Sequence, residues 1–343
     1  MKSVIVEKIS SEQGVYIEAL SRLLDKMEFS FHRGHRIAIK IHWGERGNKT
    51  FLRPEYTVLL VKHLKSRGLN PFVFDTTVLY SGGRRRGDDS LKTAAEHGFS
   101  EDILDCPVII GDGLDGRNIM DIKTDYRHFS VIQVARTVTE ADGFVIFSHF
   151  KGHLGAGFGG AVKNISMGFA SRAQKQRMHA DARPELNARK CSRCGICIDI
   201  CPVRAAEWGN DTFPCYDRSR CIGCAQCIAN CPDMALKIHW NTDARVFQEK
   251  LIETAAAVWK IIGERSLCIN GLITIGADCD CLPGDHTRIA PDIGFVGGYH
   301  PLEIDKTCLD LIGAQAFRKA HPRVPWERQF EYAEEIGFRE QSS

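Results

Sequence analysis

Short apolar runs alternate with amphipathic stretches along the first half of the chain. Four of these runs are rich in β-branched and aromatic residues and are bounded by Gly, Pro or Asp, which is typical of strands. They cover residues 36–43, 70–77, 107–113 and 143–150. Between them, apolar residues recur at helical spacing over 54–67 and 90–97. Strands and helices in alternation predict a mainly parallel sheet with helices on both faces.

The same pattern returns later in the chain. It predicts a helix over 242–263, strands over 266–277 and 293–298, and a helix over 302–312. Residues 117–134 alternate between apolar and polar with a period of two, which predicts a hairpin laid on the core. The opening MKSVIVEKIS has charges inside a short apolar run, so it predicts a first strand and not a signal peptide.

Residues 186–240 interrupt this pattern with a cysteine-rich composition. We predict a discontinuous, Rossmann-like α/β domain with a small α+β domain inserted into it, followed by a polar tail that packs Trp326 and Phe330 on the surface. The predicted bounds are 1–185 and 241–320 for the α/β domain, 186–240 for the insert and 321–343 for the tail. The alternative, three sequential domains, leaves 265–312 with too few elements for a core of their own.

The insert contains two copies of the pattern C-x-x-C-x-x-C-x-x-x-C-P. This is the ligand run of bacterial ferredoxins with two [4Fe–4S] clusters, in which the fourth cysteine of each run binds the other cluster. The first cluster would take Cys191, Cys194, Cys197 and Cys231, and the second Cys201, Cys221, Cys224 and Cys227. A zinc site needs only four ligands, and a disulfide framework follows no such spacing rule, so both explain the duplicated run poorly.

Composition narrows the functional classes. Fourteen cysteines indicate metal ligation in a reducing cytoplasm rather than disulfides, and a net charge of +2 gives no sign of nucleic-acid or membrane-surface binding. No run approaches the roughly eighteen apolar residues of a membrane-spanning helix. Low-potential clusters lose integrity in air, which favours an anaerobic host.

Five glycines lie between Gly152 and Gly160, after the strand at 143–150 and before an apolar helix start. A glycine-rich turn at a helix N-terminus directs backbone N–H groups at an anion, and α/β sheets place ligands at the carboxyl ends of strands. The loop therefore predicts a catalytic pair, His153 and Lys163, with substrate or cofactor bound by Lys151, Gly157, Gly159, Gly160 and Asn164. The alternative is a flexible turn with solvated charges.

Two further loops follow predicted strands and would meet the glycine-rich loop at one edge of a parallel sheet. The first adds His42 and Arg53 to the predicted binding residues. The second contains the run Arg84-Arg85-Arg86, which suits a substrate carboxylate or phosphate. A solvated surface loop is the alternative for this run.

The remaining cysteines fall into two groups. Cys279 and Cys281, one residue apart with Asp and His nearby, suit a third metal site, a lined pocket or simple packing. The others stand singly among apolar residues and are predicted to be buried structural thiols: Cys106, Cys215, Cys268 and Cys308.

These motifs resemble a known family. IKIHWGERGN, LRPEY, FDTTVLYSGG, HFKGHLGAGFGGAVKNISMG, the two cysteine runs, CDCLPG and PDIG are similar to the uncharacterised Fe–S-centre proteins of the domain-of-unknown-function 362 family, in the form with a dicluster ferredoxin insert. The resemblance covers 36 to about 312 and implies the fold and two [4Fe–4S] clusters, but no settled reaction. The chain departs from the family pattern at Tyr299-His300-Pro301 and at residues 303–306.

A more distant likeness is to nickel-pincer lactate racemases. It rests on His153, Gly157, the pair Gly159-Gly160, and Lys163 ten residues after the histidine. In that family the histidine contributes to acid–base chemistry and metal binding, and the lysine tethers the cofactor. The likeness implies a shared fold and site location, but racemases carry no ferredoxin insert and their reaction does not transfer.

Three functions stay open on the sequence. The first is a redox enzyme that passes electrons through two clusters to a small anionic substrate or second cofactor at residues 151–164. The second is a non-catalytic electron carrier that docks a redox partner protein. The third is an enzyme with a flavin or metal cofactor, related in architecture to the racemases.

Overall fold

The computed structural model describes residues 3–9, 16–180 and 183–339. Within these residues the strands are β1 Ile5–Lys8, β2 Arg36–Lys40, β3 Asn70–Asp75, β4 Val108–Ile110, β5 Ile119–Lys123, β6 Val131–Ala135, β7 Gly143–His149, β8 Lys151–His153, β9 Gly157–Gly159, β10 Ala206–Trp208, β11 Pro214–Tyr216, β12 Ser266–Leu272 and β13 Gly294–Gly298. The helices are α1 Tyr16–Lys26, α2 Pro54–Ser66, α3 Gly87–Glu96, α4 Glu101–Leu104, α5 Ala161–Phe169, α6 Arg172–His179, α7 Ile196–Asp199, α8 Gln226–Asn230, α9 Ala244–Ile262, α10 Pro301–Ile312, α11 Ala314–Ala320 and α12 Arg328–Glu335.

A mixed sheet forms the centre of the molecule, with the strand order β1-β13-β12-β7-β2-β3-β4. The five strands from β12 to β4 run parallel, and β13 and β1 are antiparallel at the other edge. The prediction of an α/β fold with a mainly parallel sheet is confirmed. β12 and β13 follow residues 186–240 in the chain, so the sheet takes strands from both sides of that segment.

Apolar side chains alternate across the sheet because successive residues of a strand point to opposite faces. In β7, Phe144 and Ile146 belong to one buried cluster, whereas Val145 and Phe147 belong to the other. Helices α5, α9 and α10 cover the first face, and α1 and α2 cover the second. Burial on both faces is what a parallel sheet requires.

Several elements of the α/β part were not predicted, including the helices α1, α4, α6, α11 and α12 and the hairpin β8–β9. Helix α6 is polar in sequence, RAQKQRMH, and yet mostly buried. Its polar side chains are satisfied inside the chain, since Gln176 bonds to the carbonyl of His239 at 2.8 Å and Gln174 to the hydroxyl of Thr254 at 3.4 Å. Hydrophobic periodicity cannot reveal a helix that is held by hydrogen bonds.

The segment predicted as a polar tail is a packed part of the fold over 321–339; its last residues, 340–343, lie outside the described residues. Helix α12 lies against α9, and the Tyr332 hydroxyl bonds to Glu253 at 2.7 Å. Trp326 is only 6% exposed and stacks edge-on against Phe158 of β9. The aromatic pair therefore belongs to the core beneath the glycine-rich loop.

Residues 186–240 form a small unit with two short helices, α7 and α8, and a two-stranded hairpin, β10–β11. Its own apolar cluster includes Ile228 and Leu236 and is completed by Ala173 and Ala180 from the region of α6. The unit thus shares a buried surface with the α/β part. Among the described residues, no helix is long and apolar enough to span a bilayer.

The close packing around β8 gives a first prediction. A Cβ at Gly152 would lie 1.9 Å from the Ala277 carbonyl oxygen, so Gly152→Ala must displace backbone. We expect it to destabilise the fold by about 1–3 kcal/mol or more, measured as a lower midpoint of thermal unfolding. Gly155→Ala is the matched control, because its nearest neighbour is a side-chain atom at 3.4 Å. Equal midpoints for the two variants would contradict the close approach.

Candidate functional site

A cavity of about 790 Å³ lies at the carboxyl ends of the parallel strands. The end of β2 contributes His42, the end of β3 contributes Thr76, and the end of β7 contributes Ser148. The loop after β12 supplies Cys279 and Cys281. This is the sheet edge at which α/β folds place ligands, and the volume suits a small molecule.

Buried charges form the floor of the cavity. The ammonium group of Lys40 is 2.9 Å from Asp75, and the guanidinium group of Arg84 is 3.2 Å from the other oxygen of the same carboxylate. Burial alone would raise the pKa of Asp75, but the charges of Lys40 and Arg84 and a hydrogen bond from Lys40 help to lower it to about 2. A buried carboxylate shared by two cations stays ionised and fixes the ends of neighbouring strands.

The glycine-rich loop is held by groups of the chain itself. The carboxylate of Asp305 accepts hydrogen bonds from the N–H groups of Ala161 and Val162, at 2.8 and 2.9 Å, at the N-terminus of α5. Burial raises the pKa of Asp305 to about 6. In this structure the carboxylate of Asp305 thus satisfies the two amides at which the sequence suggested an external anion.

The glycines of the loop serve this packing. Gly157 has a φ of +79°, and a Cβ there would lie 2.7 Å from Trp326. A Cβ at Gly160 would lie 2.3 Å from Asp305. Gly159 and Gly160 line the cavity, while Gly157 is outside its lining.

Other predicted binding residues differ in their placement. Asn164 lines the cavity, but its side chain bonds to Lys40, to the carbonyl of Phe147 and to the hydroxyl of Ser148. Arg53 is outside the lining, exposed, with its guanidinium group 5.6 Å from the ring of Phe51. Proximity in sequence to a strand end was too weak a signal to place it.

Cys279 is the centre of a polar cluster in the cavity wall. Its sulfur lies 3.8 Å from the ammonium group of Lys163, and its ligand atom lies within 4.8 Å of those of His153 and Cys281. A hydrogen bond from Cys281, the charge of Lys163, and hydrogen bonds from His153 and His42 lower the pKa of the Cys279 thiol well below its usual value, against the effect of burial. The predicted catalytic pair and His42 therefore meet at one cysteine.

The hydrogen bonds of the two histidines define their tautomers. Nδ1 of His42 accepts from the N–H of Gly44 at 2.9 Å, and Nδ1 of His153 accepts from the N–H of Gly155 at 3.1 Å and of Ala156 at 2.9 Å. Burial lowers the pKa of each ring to about 4, so both rings are neutral at pH 7. A neutral ring that accepts at Nδ1 carries its proton on Nε2.

This arrangement bears on the third metal site. Metal-bound histidines usually donate from the nitrogen that does not bind the metal. Here that nitrogen is an acceptor, so a metal on Nε2 would need a fully deprotonated ring. Cys279 and Cys281 have the proximity of a ligand pair, but His42 and His153 are hydrogen-bonded as donors toward sulfur and fit a metal poorly.

Asp280 anchors the loop between the two cysteines. Its carboxylate is fully buried and lies 2.8 Å from Nδ1 of His149 and 3.1 Å from the ammonium group of Lys151. Burial alone would lower the pKa of Lys151, but the charge of Asp280 and that of Cys279 raise it. Lys151, a predicted binding residue, is therefore paired within the chain.

The cysteines of the two duplicated runs lie near one another in the small unit. Cys191, Cys194, Cys197 and Cys231 line one pocket, which is the set predicted for the first cluster. In each run the sulfur of the last cysteine accepts from a backbone N–H four residues on, at 3.1 Å for Cys201 and 3.2 Å for Cys231. The residues present thus fit a [4Fe–4S] cluster.

Backbone geometry repeats between the two runs. Positive φ occurs at corresponding positions of the first and second run: Arg193 and Gly223, Gly195 and Ala225, Arg204 and Met234. Four of these six residues are not glycine, so each is held in a left-handed conformation at some cost. The two loops therefore wrap their cysteines in the same way.

The isolated cysteines are partly as predicted. Cys106, Cys268 and Cys308 are buried, and burial raises the pKa of Cys106 to about 11. Cys215 is exposed, on the outer face of the hairpin β10–β11, so its prediction as a buried thiol was wrong. A two-stranded hairpin is too small to cover both of its own faces, so a side chain on its uncovered face stays exposed to solvent.

Arg85 and helix α6 connect the small unit to the cavity. The guanidinium group of Arg85 bonds to the carbonyl of Cys231 at 3.0 Å and also to the carbonyl of Leu79, which lines the cavity. Helix α6 places Lys175 in the cavity, with its Nζ 2.8 Å from the Thr76 hydroxyl, and burial lowers the pKa of Lys175 to about 8. Sequence reasoning missed Lys175 because it missed the helix that holds it.

A family model described as "Domain of unknown function (DUF362)" matches residues 37–310. The chain belongs to the DUF362 family. The family description gives no reaction, so the activity of this DUF362 protein rests on its site.

Three curated relatives are similar to a short part of the DUF362 protein. A tetrathionate reductase subunit of Salmonella typhimurium is 38% identical over 56 residues, which is 16% of this chain and 22% of that protein. The thiosulfate reductase electron transfer subunit of Salmonella typhi is 33% identical over 63 residues, or 18% of this chain and 33% of that protein. An uncharacterised ferredoxin of Methanocaldococcus jannaschii is 34% identical over 56 residues, or 16% of this chain and 73% of the ferredoxin.

The chain thus covers a third or less of the two reductase subunits. Together with the family match, these similarities support an iron–sulfur-containing DUF362 protein.

Two solved structures resemble the DUF362 protein in fold. A protein of Thermotoga maritima has a TM-score of 0.50 at 13% identity, covering 91% of this chain and 61% of its own. The lactate racemase apoprotein of Thermoanaerobacterium thermosaccharolyticum has a TM-score of 0.44 at 14% identity, covering 90% of this chain and 62% of its own. The chain spans less than two thirds of each. The Thermotoga protein supports the fold alone.

The anchoring role of Asp280 gives a second prediction. Asp280→Asn leaves the buried ammonium group of Lys151 without its carboxylate and removes the carboxylate that lies 2.8 Å from Nδ1 of His149, and losing one partner of a buried pair costs about 3–5 kcal/mol. We expect the midpoint of thermal unfolding to fall by several degrees. Asp278→Asn is the control, since its side chain is 37% exposed and lies 3.8 Å from its partner His321. An Asp280→Asn variant as stable as this control would contradict the role.

Proposed function

We propose that the protein is an iron–sulfur redox enzyme that transfers electrons between residues 186–240 and a small anionic substrate in the cavity. The observation that carries the proposal is the double contact of Arg85. Its side chain bonds to the backbone of Cys231, a proposed cluster ligand, and to the backbone of Leu79 in the cavity lining. The similarity to a ferredoxin and to an electron transfer subunit supports the redox part.

Residues 186–240 are proposed to form a ferredoxin-type domain inserted into the α/β domain. Two [4Fe–4S] clusters, when bound, would each supply one electron at low potential. Their proposed ligands are Cys191, Cys194, Cys197 and Cys231 for the first, and Cys201, Cys221, Cys224 and Cys227 for the second. The backbone N–H groups that bond to Cys201 and Cys231 would tune the potentials.

The charge of the cavity favours an anionic substrate. Among the described residues, its lining includes six lysine and arginine side chains but one aspartate. Lys40 and Arg84 share that aspartate, and Lys151 has Asp280 behind it. Lys163 lines the cavity with its ammonium group 3.8 Å from the sulfur of Cys279, and its charge can hold a carboxylate or similar group there.

We assign two catalytic roles. His153 presents Nε2–H beside Cys279 and is proposed to donate a hydrogen bond to negative charge that develops on the reacting group. Lys163 is proposed to hold the anionic part of the substrate. His42 is proposed to support His153 from the other side of the same sulfur.

Reduction of a partner protein is the second candidate. It is favoured by the two reductase subunits to which the chain is similar, since each is by name one part of a larger enzyme. In that case the α/β part would serve to dock the partner protein, and no small molecule would accept electrons in the cavity. A flavin or metal cofactor in the cavity is a third candidate, although the histidine tautomers disfavour a metal at Cys279 and Cys281.

Metal analysis tests the cluster assignment. Protein purified without oxygen is expected to contain about eight irons and eight acid-labile sulfides per chain, measured by elemental analysis and native mass spectrometry. Cys224→Ser should lose about half of the iron, and Cys215→Ser should lose none, since Cys215 is outside both proposed ligand sets. Fewer than about four irons in the unaltered protein would contradict two clusters. A co-purifying flavin or nickel would favour the third candidate.

Reoxidation kinetics test the site assignment. Photoreduced protein is mixed without oxygen with small anionic electron acceptors, and the visible absorbance of the iron–sulfur centres is followed. His153→Phe and Lys163→Met are expected to slow reoxidation by at least about 100-fold, with unchanged iron content. The first variant removes the Nε2–H donor beside Cys279, and the second removes the positive charge that holds the substrate.

Lys319→Met is the control for this experiment, because Lys319 is exposed and outside the cavity lining. Reoxidation at the parent rate in both site variants would show that electrons leave elsewhere. Acceptors that fail with the parent protein, while a partner protein succeeds, would favour the carrier function.

A further inference from the structure

The surroundings of Cys279 suit a sulfur anion. The ammonium group of Lys163 and the Nε2–H groups of His42 and His153 face the sulfur, and the Cys281 thiol donates to it. Each of these groups is a donor or a cation, and none of the four offers a lone pair toward the sulfur. A thiolate, rather than a thiol or a metal-bound sulfur, is the species that such a set stabilises.

Cys281 is the natural reaction partner of Cys279. A turn closed by the Leu282 N–H and the Cys279 carbonyl, at 2.9 Å, brings the two sulfurs to within 4.8 Å. The hydrogen bond to Cys279 and burial raise the pKa of the Cys281 thiol well above its usual value, so Cys281 keeps its proton. The pair is therefore asymmetric, with one nucleophile and one thiol.

We propose that Cys279 and Cys281 form a redox-active dithiol that reduces a small anionic disulfide in the cavity. The Cys279 thiolate attacks one sulfur of the substrate, forming a mixed disulfide and releasing the other half as a thiolate. Cys281 then gives its proton to the released thiolate and attacks the Cys279 sulfur, which forms the Cys279–Cys281 disulfide and releases the second half as a thiolate. The substrate gains two electrons, and the protein dithiol loses two.

His153 and Lys163 have definite roles in this exchange. The Nε2–H of His153 is placed to donate a hydrogen bond to the sulfur anion. Lys163 lies beside the reacting sulfur and attracts an anionic disulfide over a neutral one. The substrate class follows from the chemistry of the dithiol and the cationic lining together.

The dithiol must be restored for a second turnover. Reduction of the Cys279–Cys281 disulfide to a Cys279 thiolate and a Cys281 thiol needs two electrons and one proton, and the reductant is proposed to be the iron–sulfur centres of residues 186–240, two one-electron donors. This step rests on the proposed function. The exchange step does not, because it needs only the two cysteines and the substrate.

The exchange step is tested on the iron-loaded protein without oxygen, in a Cys215→Ser background that removes the exposed thiol. The probe is dithiodipropionate, a small dicarboxylate disulfide, and released thiolate and protein mass are measured together. With both cysteines present we expect two thiolates per site and a Cys279–Cys281 disulfide. Cys281→Ser should release one thiolate and keep the other half bound to Cys279.

Controls separate this result from general thiol reactivity. Cys279→Ser should slow thiolate release at least tenfold, whereas Cys106→Ser should match the parent, because Cys106 is buried away from the cavity. Lys163→Met should lose the preference for dithiodipropionate over neutral hydroxyethyl disulfide. Equal release from Cys279→Ser and the parent, or a Cys281→Ser variant with no bound probe, would overturn the proposal.

A second measurement distinguishes this inference from the proposed function. The isolated Cys279–Cys281 disulfide form is mixed with dithionite, in protein with full iron content and in a Cys224→Ser variant, and the dithiol is counted by alkylation and mass spectrometry. Faster reduction with full iron content supports both ideas. Equal rates would leave the dithiol exchange intact and overturn the electron supply from residues 186–240.

Discussion

Compensation of buried charge at the carboxyl ends of the parallel strands determines how this molecule is built. Lys40 ends β2 inside the protein and is held by Asp75 at the end of β3, which Arg84 shares. Asp280 plays the same part for His149 and Lys151 near the end of β7. Removing one member of such a set leaves an unpaired charge in a low-dielectric interior, which costs far more than a surface ion pair. These buried pairs therefore fix the strand ends and loops that form the walls of the cavity.

The compensated charges also explain which residues are left for chemistry. Lys151 and Asn164 line the cavity, but their side chains bond to Asp280 and Lys40 and stabilise the sheet edge. Lys163 lines the cavity beside the sulfur of Cys279. The glycine-rich loop follows the same rule, because Asp305 satisfies the amide groups at the start of α5. A residue that lines the cavity is thus not always available for chemistry. Its hydrogen-bond partners within the chain determine whether its side chain can act on a bound molecule.

The sequence was informative where periodicity or spacing carries the signal. The strands and helices around β2, β3, β7 and α9 are recognisable because their apolar faces repeat, and the cysteine runs because ligand spacing is rigid. Helix α6 has neither signal, and it was missed along with Lys175. The meeting of His42, His153, Lys163 and Cys279 depends on segments that come together only after folding. Spacing along the chain could suggest each residue but not the tautomers that set their roles.

The chain leaves the small unit close to the end of α6, the helix that precedes this unit in the chain. The N–H of Thr242 bonds to the carbonyl of His179 at 2.9 Å, and Trp240 packs on the ring of His179, so the chain leaves residues 186–240 beside the point where α6 leads toward them. A segment that departs and returns at one point can be gained or lost in evolution without cutting any strand of the sheet. Since Trp240 and Thr242 also line the cavity, acquiring such a segment would have reshaped the pocket in the same event. A change in electron supply and a change in the molecule admitted to the pocket would then have been inherited together.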